Sequence, residues 1–289
     1  MQHMKKMAKP KHILITGCAT GIGRDALFSL HARGHRVVGT VRKSADLRSL
    51  QDAGLTVVLL DLDDDKVIAA GLKTALTHLD GRIDVLFNNA AYGQPGAVED
   101  LSRAALMAQF NTNVIGTQQL TNQVIQIMRR QAAGRIVYNS SVLGLVALPY
   151  RGAYNASKFA LEGLVDTLRL ELHGTNIAIS LIEPGPITSA FRANAMLQYK
   201  KHIFPEQSAH HSIYAAMEKR LTQSGPTAPF TLPAAAVTAK VIHVVESRRP
   251  KLRYFVTFPT YLLATLKWLL PTRCFDWVLR RISRSEQRV

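Results

Sequence analysis

A single doubly wound α/β domain built on a parallel sheet is the fold this sequence predicts, on three observations. Short runs rich in Val, Ile and Leu alternate with longer amphipathic stretches along most of the chain. The apolar runs lack strict polar alternation, as strands covered on both faces do. The 289 residues, nearly half of them hydrophobic and fewer than a quarter charged, suffice for one large domain with a substantial core. Strand–helix alternation of this kind requires right-handed crossovers between parallel strands. No internal repeat, low-complexity segment or linker divides the chain, so one domain over residues 1–289 is expected.

Taken in order, the expected strands are 12–16, 36–41, 56–60, 83–87, 135–139 and 177–182, with a seventh at 251–257. Helices are expected between them at 24–33, 67–79, 104–130 and 153–172. Residues 12–188 then form the core that carries the chemistry. Segment 189–233 breaks the rhythm with Pro205, Pro226, Pro229, scattered aromatics and His202, His210 and His211. It lies between the sixth and seventh strands and so projects from the carboxyl edge of the sheet, where open α/β folds bind ligands. It is read as a substrate lid, with Phe191, Met196, Tyr199, Phe204 and Tyr214 as candidates for an apolar pocket and the histidines at its surface.

Composition narrows the setting. Cys18 and Cys274 are far apart and in no metal-ligand spacing, so no metal site is expected and a reducing cytoplasm is the natural compartment. Residues 1–11 are basic but lack the apolar stretch of a signal peptide. Stretch 261–270 is interrupted by Lys267 and ends at Pro271, too short to span a bilayer. From Arg248 onward ten basic residues face only Asp276 and Glu286, which accounts for half of the formal charge of +16. Two readings of the C-terminal extension, 259–289, stay open. It rests peripherally on an anionic membrane, or it is a solvated helix that aids solubility. Nucleic acid is not an expected partner, because no binding motif accompanies the charge.

The chemistry is read at the strand ends. Thr16-Gly17-Cys18-Ala19-Thr20-Gly21-Ile22-Gly23 closes the first strand and opens the first helix. Its glycines allow a tight turn and close approach of a pyrophosphate, which then sits on the helix N-terminus. The second strand ends in Arg42 and Lys43 with no acid nearby. An acid there bonds the ribose 2′-hydroxyl of NAD, whereas an arginine pairs with the 2′-phosphate of NADP. NADP(H) is therefore expected, through bidentate Arg42 and the point charge of Lys43. Tyr154 and Lys158 are four apart on one helix face, close enough for an ammonium to favour the phenolate. Such a pair also arises by chance on amphipathic helices.

Taken together, the T-G-x-x-x-G-I-G turn, the Asn88-Asn89-Ala90-Ala91 strand end, Tyr154-Asn155-Ala156-Ser157-Lys158 and Pro184-Gly185 resemble the short-chain dehydrogenase/reductase family. The resemblance implies cofactor contacts at Gly17, Thr20, Gly21, Ile22 and Gly23, at Asp61 and Leu62 beside the adenine, and at Asn89 and Ala90. It implies further contacts at Pro184, Gly185, Ile187 and Thr188 around the nicotinamide, and at Tyr154 and Lys158. Ala91 stands where the family usually has glycine. The family's serine lies thirteen residues before its tyrosine, a register Ser141 fits and Ser140 does not. Asn113, in Asn113-Val114-Ile115-Gly116, matches the family's water-holding asparagine better than Asn111 does.

The implied activity is NADP(H)-dependent reduction of a lipophilic aldehyde or ketone to the alcohol, or the reverse, with Tyr154 as acid/base. Within the family the chain is similar to hydroxysteroid and retinol dehydrogenases and to bacterial NADP-dependent aldehyde reductases. A homodimer or homotetramer through the 104–130 and 153–172 helices is implied as well. The alternatives are a catalytically silent NADP(H) sensor, or a hydroxysteroid or retinol dehydrogenase in place of an aldehyde reductase.

Overall fold

The computed structural model describes residues 9–226 and 228–284, so Glu286, Arg288 and the rest of 285–289 lie outside the described residues. Seven strands form one sheet: β1 (His12–Ile15), β2 (Arg36–Val41), β3 (Val57–Leu59), β4 (Val85–Asn88), β5 (Gly134–Asn139), β6 (Ile177–Pro184) and β7 (Arg253–Val256). All pairings are parallel, in the order β3-β2-β1-β4-β5-β6-β7. The chain runs outward from β1 through β2 and β3, then returns to place β4 on the other side of β1. Strand order reverses there, and a crevice opens at the carboxyl ends of β1 and β4.

Helices cover both faces, which explains why the strands show no polar alternation. On one face α1 (Gly21–Ala32), α2 (Ser44–Asp52) and α9 (Ala235–Glu246) pack Leu27, Leu50 and Val241 against Ile13, Ile15 and Phe87. On the other, α3 (Asp65–His78), α5 (Thr117–Arg130) and α6 (Gly152–Glu171) pack Leu72, Val124 and Val165 against Leu14, Leu86 and Ile136. Adjacent residues of β1 thus enter different cores. The expected strands and helices are present, with ends shifted by a few residues, and the doubly wound single-domain fold is as expected.

Two of the helices that pack on the sheet escaped the sequence reading. The nine residues of α2 include Asp46, Arg48, Gln51 and Asp52 and bury only Leu50, so no apolar stripe announces a helix. In α9 the β-branched run around Val241–Val245 reads equally well as strand. The stretch expected as one helix at 104–130 is α4 (Arg103–Phe110) and α5 joined by a π-helical turn, Asn111–Gly116. Its last residue faces the loop after β3: a Cβ on Gly116 would lie 1.8 Å from the Leu62 carbonyl oxygen. Glycine here lets that loop lie directly on the helix.

Segment 189–233, expected to act as a lid, holds α7 (Phe191–His202) and α8 (His211–Thr222). Asp100 pins it to the body by accepting from the hydroxyls of Ser208 (2.6 Å) and Tyr214. Ile187 and Leu232 form a parallel bridge at its base, where Thr188 N donates to the Leu232 carbonyl (2.9 Å). Beyond β7, α10 (Phe258–Leu269) and α11 (Thr272–Arg284) form a hairpin that covers Val142, Leu143 and Val146.

Candidate active site

A cleft of about 630 Å³ opens at the carboxyl edge of β1, β4, β5 and β6. At its floor the chain turns from β1 into α1. Gly17 has φ +72°, and a Cβ there would lie 2.8 Å from the Ala90 Cα. A Cβ on Gly23 would lie 2.3 Å from the Gly17 carbonyl oxygen and 2.5 Å from Asn89 Nδ2, so Gly23 packs behind the turn and does not line the cleft. Thr16 Oγ1 accepts from the backbone N–H groups of Asn89 (2.9 Å) and Ala90 (3.0 Å). Asn89 Nδ2 donates back to the Thr16 (2.9 Å) and Gly17 (3.2 Å) carbonyls. These bonds lock the glycine turn to the end of β4. Ala91 is not among the residues at positive φ, so its methyl group costs no backbone strain in place of the family's glycine. Cys18, fully buried in the same turn, donates its thiol to the Ile15 carbonyl (3.3 Å), and burial pushes its pKa up to about 12.

Thr20, Gly21 and Ile22 line the cleft at the start of α1, where neither an acidic side chain nor a capping side chain occupies the first turn. The free N–H groups and the positive end of that helix therefore face the cleft. Arg42 and Lys43 line it at the end of β2, exposed and without an ion-pair partner among the described residues. Asp61 and Leu62 follow β3, and Asp61 Oδ1 accepts from Asp63 N (3.1 Å). Pro184, Gly185, Ile187 and Thr188 form the far wall. A Cβ on Gly185 would lie 2.2 Å from Thr257 Oγ1, which is why this loop carries glycine there.

Ser141, Tyr154 and Lys158 converge in the middle of the cleft. Tyr154 and Lys158 share one face of α6, with Lys158 Nζ 5.7 Å from the Tyr154 ring centre. Lys158 Nζ donates to the Asn139 carbonyl (2.7 Å) at the end of β5. Burial lowers the Lys158 pKa to about 8, against an opposing pull upward from the Glu162 carboxylate. Burial also governs Tyr154, whose pKa is pushed up to about 12, while a hydrogen bond from Ser141 draws it down. Sequence reasoning expected Lys158 to depress this pKa. Desolvation of the phenol is the larger effect, so Tyr154 holds its proton throughout the neutral range.

Asn113 is placed differently from the other expected residues. It is buried in the π-helical turn and does not line the cleft. Its amide N–H groups donate to the Tyr92 carbonyl (2.9 Å) and Ser157 Oγ (3.1 Å), and its oxygen accepts from Tyr92 N (3.1 Å). The side chain thus braces the β4 loop against α6. Phe191, a candidate for an apolar pocket from the sequence, packs edge-on against the Tyr154 ring at 5.2 Å, and a Cβ on Gly93, which sequence reasoning missed, would lie 2.7 Å from the Phe191 Cζ. Val142, Leu143, Leu148 and Leu197 complete an apolar wall beside Ser141 and Tyr154. Of the lid aromatics only Phe191 lines the cleft; Tyr199 and Tyr214 are core, and Phe204 faces solvent. None of the three lid histidines lines it either: His210 contacts Glu99 and Tyr150, and His211 is exposed. Among the described residues no group of three His, Cys, Asp or Glu side chains is placed to hold a metal ion.

Behind Lys158 lies a cluster of acids. Ser140 Oγ donates to Glu162 Oε1. The Arg253 guanidinium reaches Glu162 (2.6 Å), Glu183 (2.6 Å) and Asp166 (2.8 Å). Glu183 is fully buried, and burial pushes its pKa up to about 7 despite Arg253.

A family model described as short chain dehydrogenase matches residues 11–200, the whole stretch that builds this cleft up to the lid. The chain belongs to the short-chain dehydrogenase/reductase family. Relatives extend the match beyond those residues. An Escherichia coli K12 protein named Uncharacterized oxidoreductase YbbO is 39% identical over 270 residues, 93% of this chain and 94% of its own. Human retinol dehydrogenase 8 is 34% identical over 275 residues, covering 90% and 86%. Human 17-beta-hydroxysteroid dehydrogenase type 1 is 31% identical over 261 residues, covering 85% and 77%. Among solved structures, a Burkholderia phymatum short-chain dehydrogenase/reductase in complex with NAD superposes with a TM-score of 0.74 at 26% identity, covering 89% and 92%. The chain is thus a short-chain dehydrogenase/reductase oxidoreductase, built as a seven-stranded Rossmann-type domain.

Proposed function

We propose that this protein uses NADP(H) to reduce a lipophilic aldehyde or ketone to its alcohol, or to run the reverse oxidation, with Tyr154 as general acid/base. The observation that carries the reading is the convergence of Ser141, Tyr154 and Lys158 beside an apolar wall, in the cleft that also holds the glycine turn. The cofactor fits the residues present. Gly17 and Gly23 let the turn pack tightly on Ala90 and Asn89, and the uncapped N-terminus of α1 opens on the cleft, where a pyrophosphate would find donors. Arg42 and Lys43 would hold the 2′-phosphate, Asp61 and Leu62 the adenine end, and Ile187 and Thr188 the nicotinamide carboxamide. Bound there, the cofactor supplies or accepts the hydride.

The protein's own residues handle the proton. In reduction, Ser141 donates to the carbonyl oxygen as negative charge builds on it. Tyr154, protonated throughout the neutral range, transfers its phenolic proton to the same oxygen. The Lys158 ammonium then faces the phenolate and stabilises it, while its remaining N–H groups would hold the nicotinamide ribose. Asn113 serves as a brace for this arrangement. Val142, Leu143, Leu148, Phe191 and Leu197 exclude water and hold an apolar chain or ring.

The segment 189–233 acts as the substrate lid. Exposed Met107, Ile115, Leu164 and Leu170 on the α4–α5 and α6 helices support a homodimer or homotetramer through those surfaces. Two free thiols suit the reducing cytoplasm. A second reading, retinol or hydroxysteroid dehydrogenation, is favoured by the two human relatives, whose named substrates are lipophilic alcohols.

The test is oxidation of NADPH, followed by nicotinamide absorbance, with medium-chain and aromatic aldehydes, retinal and steroid ketones, repeated with NADH and with Tyr154→Phe. NADPH-dependent turnover is expected, reduced by at least about 100-fold in Tyr154→Phe. Cofactor binding with no turnover on any substrate, unchanged in Tyr154→Phe, would refute the catalytic reading and leave a sensor.

A further inference from the structure

The C-terminal hairpin has two faces, and only one is used by the fold. Inward, Leu263 of α10 and Phe275 and Leu279 of α11 join Val142, Leu143 and Val146 in one core cluster. Outward, α10 presents Phe258, Tyr261, Leu262, Thr265, Trp268 and Leu269, all exposed and at helical spacing, with no charge among them. Trp268 is 85% exposed, an unusual position for the largest apolar side chain. The helix's single cation is withdrawn from this face: Lys267 Nζ donates to the Leu145 carbonyl and lies 4.8 Å from the Phe159 ring centre.

The next helix differs in kind. Residues of α11 opposite Phe275, Leu279 and Ser283 are Arg273, Trp277, Arg280, Arg281 and Arg284, all exposed. Arg281 stacks over Trp277 at 5.7 Å, and none of the four arginines has a carboxylate partner among the described residues. An apolar, aromatic stripe therefore borders a row of unpaired cations, and both helices turn these faces away from the same core. Among the described residues no helix is long and apolar enough to cross a membrane.

We propose that the outward faces of α10 and α11 form one surface that docks on the headgroup layer of an anionic membrane. The chemistry is complementary on both counts. The α10 stripe enters the boundary between headgroups and acyl chains, where Trp and Tyr are favoured. The α11 arginines meet lipid phosphates, which supply the anionic partners that no carboxylate among the described residues provides. A second copy of this chain fits less well, because pairing the same face with itself would set the arginine row near its own copy. Docking is independent of the catalytic reading, since it uses no residue of the cleft.

The test is co-sedimentation of the full chain with vesicles of phosphatidylcholine alone and of phosphatidylcholine with roughly one third phosphatidylglycerol. Point substitutions are required, because truncation would strip the cover from Val142 and Leu143. Binding is expected to the anionic vesicles only, and to weaken as salt is raised from about 0.1 M to about 0.5 M. Each arginine near the surface is worth roughly five-fold in partition, so Arg280→Gln with Arg281→Gln should lose about 25-fold. Trp268→Ser with Leu269→Ser should lose roughly ten-fold or more. Melting temperatures close to that of the unsubstituted chain would show that these losses are not unfolding. No binding to anionic vesicles would overturn the proposal, as would equal, salt-insensitive binding to both vesicle types. A dimer that dissociates on Trp268→Ser, in a chain that ignores vesicles, would assign the face to a second copy instead.

Discussion

Replacing Glu183 by glutamine isolates the energetic consequence of burying an acid behind the active site. Glu183 lies next to the last residue of β6, has no exposed surface, and is pushed from its ordinary 4.5 up to about 7, first by burial and then by the neighbouring Glu162 carboxylate. Arg253 opposes both but does not win. A carboxyl whose folded pKa is raised binds more protons in the native state than in the unfolded chain. Stability therefore declines as pH rises from the unfolded value toward the folded one, and levels off above it. The rise to about 7 is worth on the order of 3 kcal/mol across that window. A chain of 289 residues unfolds with an entropy of about 0.6 kcal/mol/K, so this corresponds to about 5 °C in Tm. Glutamine keeps the acceptor that faces Arg253 and removes the titration. Thermal melts of both proteins should be compared at several values between about pH 5 and about pH 8. The advantage of the unsubstituted chain over Glu183→Gln should shrink by about 5 °C as pH rises. A flat difference, or one that grows with pH, would show that the acid is not held protonated by its surroundings.

Three further outcomes follow from the same geometry. Arg42→Gln with Lys43→Gln removes the charge-assisted bonds available to a 2′-phosphate, so NADPH should bind about 10- to 100-fold more weakly with NADH unaffected; equal weakening of both by fluorescence titration would contradict the assignment. Gly116→Ala sets a Cβ 1.8 Å from the Leu62 carbonyl oxygen and should cost about 3 kcal/mol in a denaturation experiment, whereas an unchanged midpoint would mean the loop after β3 is free to move. Carbonyl reduction should lose kcat/KM as pH rises through about 8, where Lys158 sheds the proton that stabilises the Tyr154 phenolate. In Lys158→Arg that alkaline limb should disappear, and its persistence would place the titrating group elsewhere.

The sheet and much of the cleft were legible because the strands are buried on both faces and most of the motifs sit at strand ends, with Tyr154 and Lys158 found instead from their spacing on α6. Ile13, Leu14 and Ile15 alternate between two cores, so the run is uniformly apolar and cannot be mistaken for a half-exposed strand. What stayed hidden depends on distance in sequence. Nothing local to Gly116 or Gly93 reveals that Leu62 or Phe191 crowds them. The π-helical turn shifts the register of a stretch whose composition is ordinary helix. The fate of the lid aromatics turned on tertiary packing: Tyr214 donates to Asp100 and accepts from Ala97 N (2.9 Å), contacts more than a hundred residues away that draw it into the core. Lys158 and Tyr154 were found from spacing, but the direction of the Tyr154 shift was not, because desolvation is a property of the surrounding protein.

The position of Cys18 also decides how this molecule can be labelled. Sealed beneath the glycine turn, with its thiol bonded to Ile15 and far from ionising, it is closed to alkylating reagents while the domain is folded. Cys274 is exposed at the start of α11. A two-cysteine chain is in practice a one-handle protein. A solvatochromic dye placed on Cys274 would report contact between that helix and a vesicle in real time. The rate at which Cys18 becomes reactive would separately report how often the cofactor-proximal core opens to solvent.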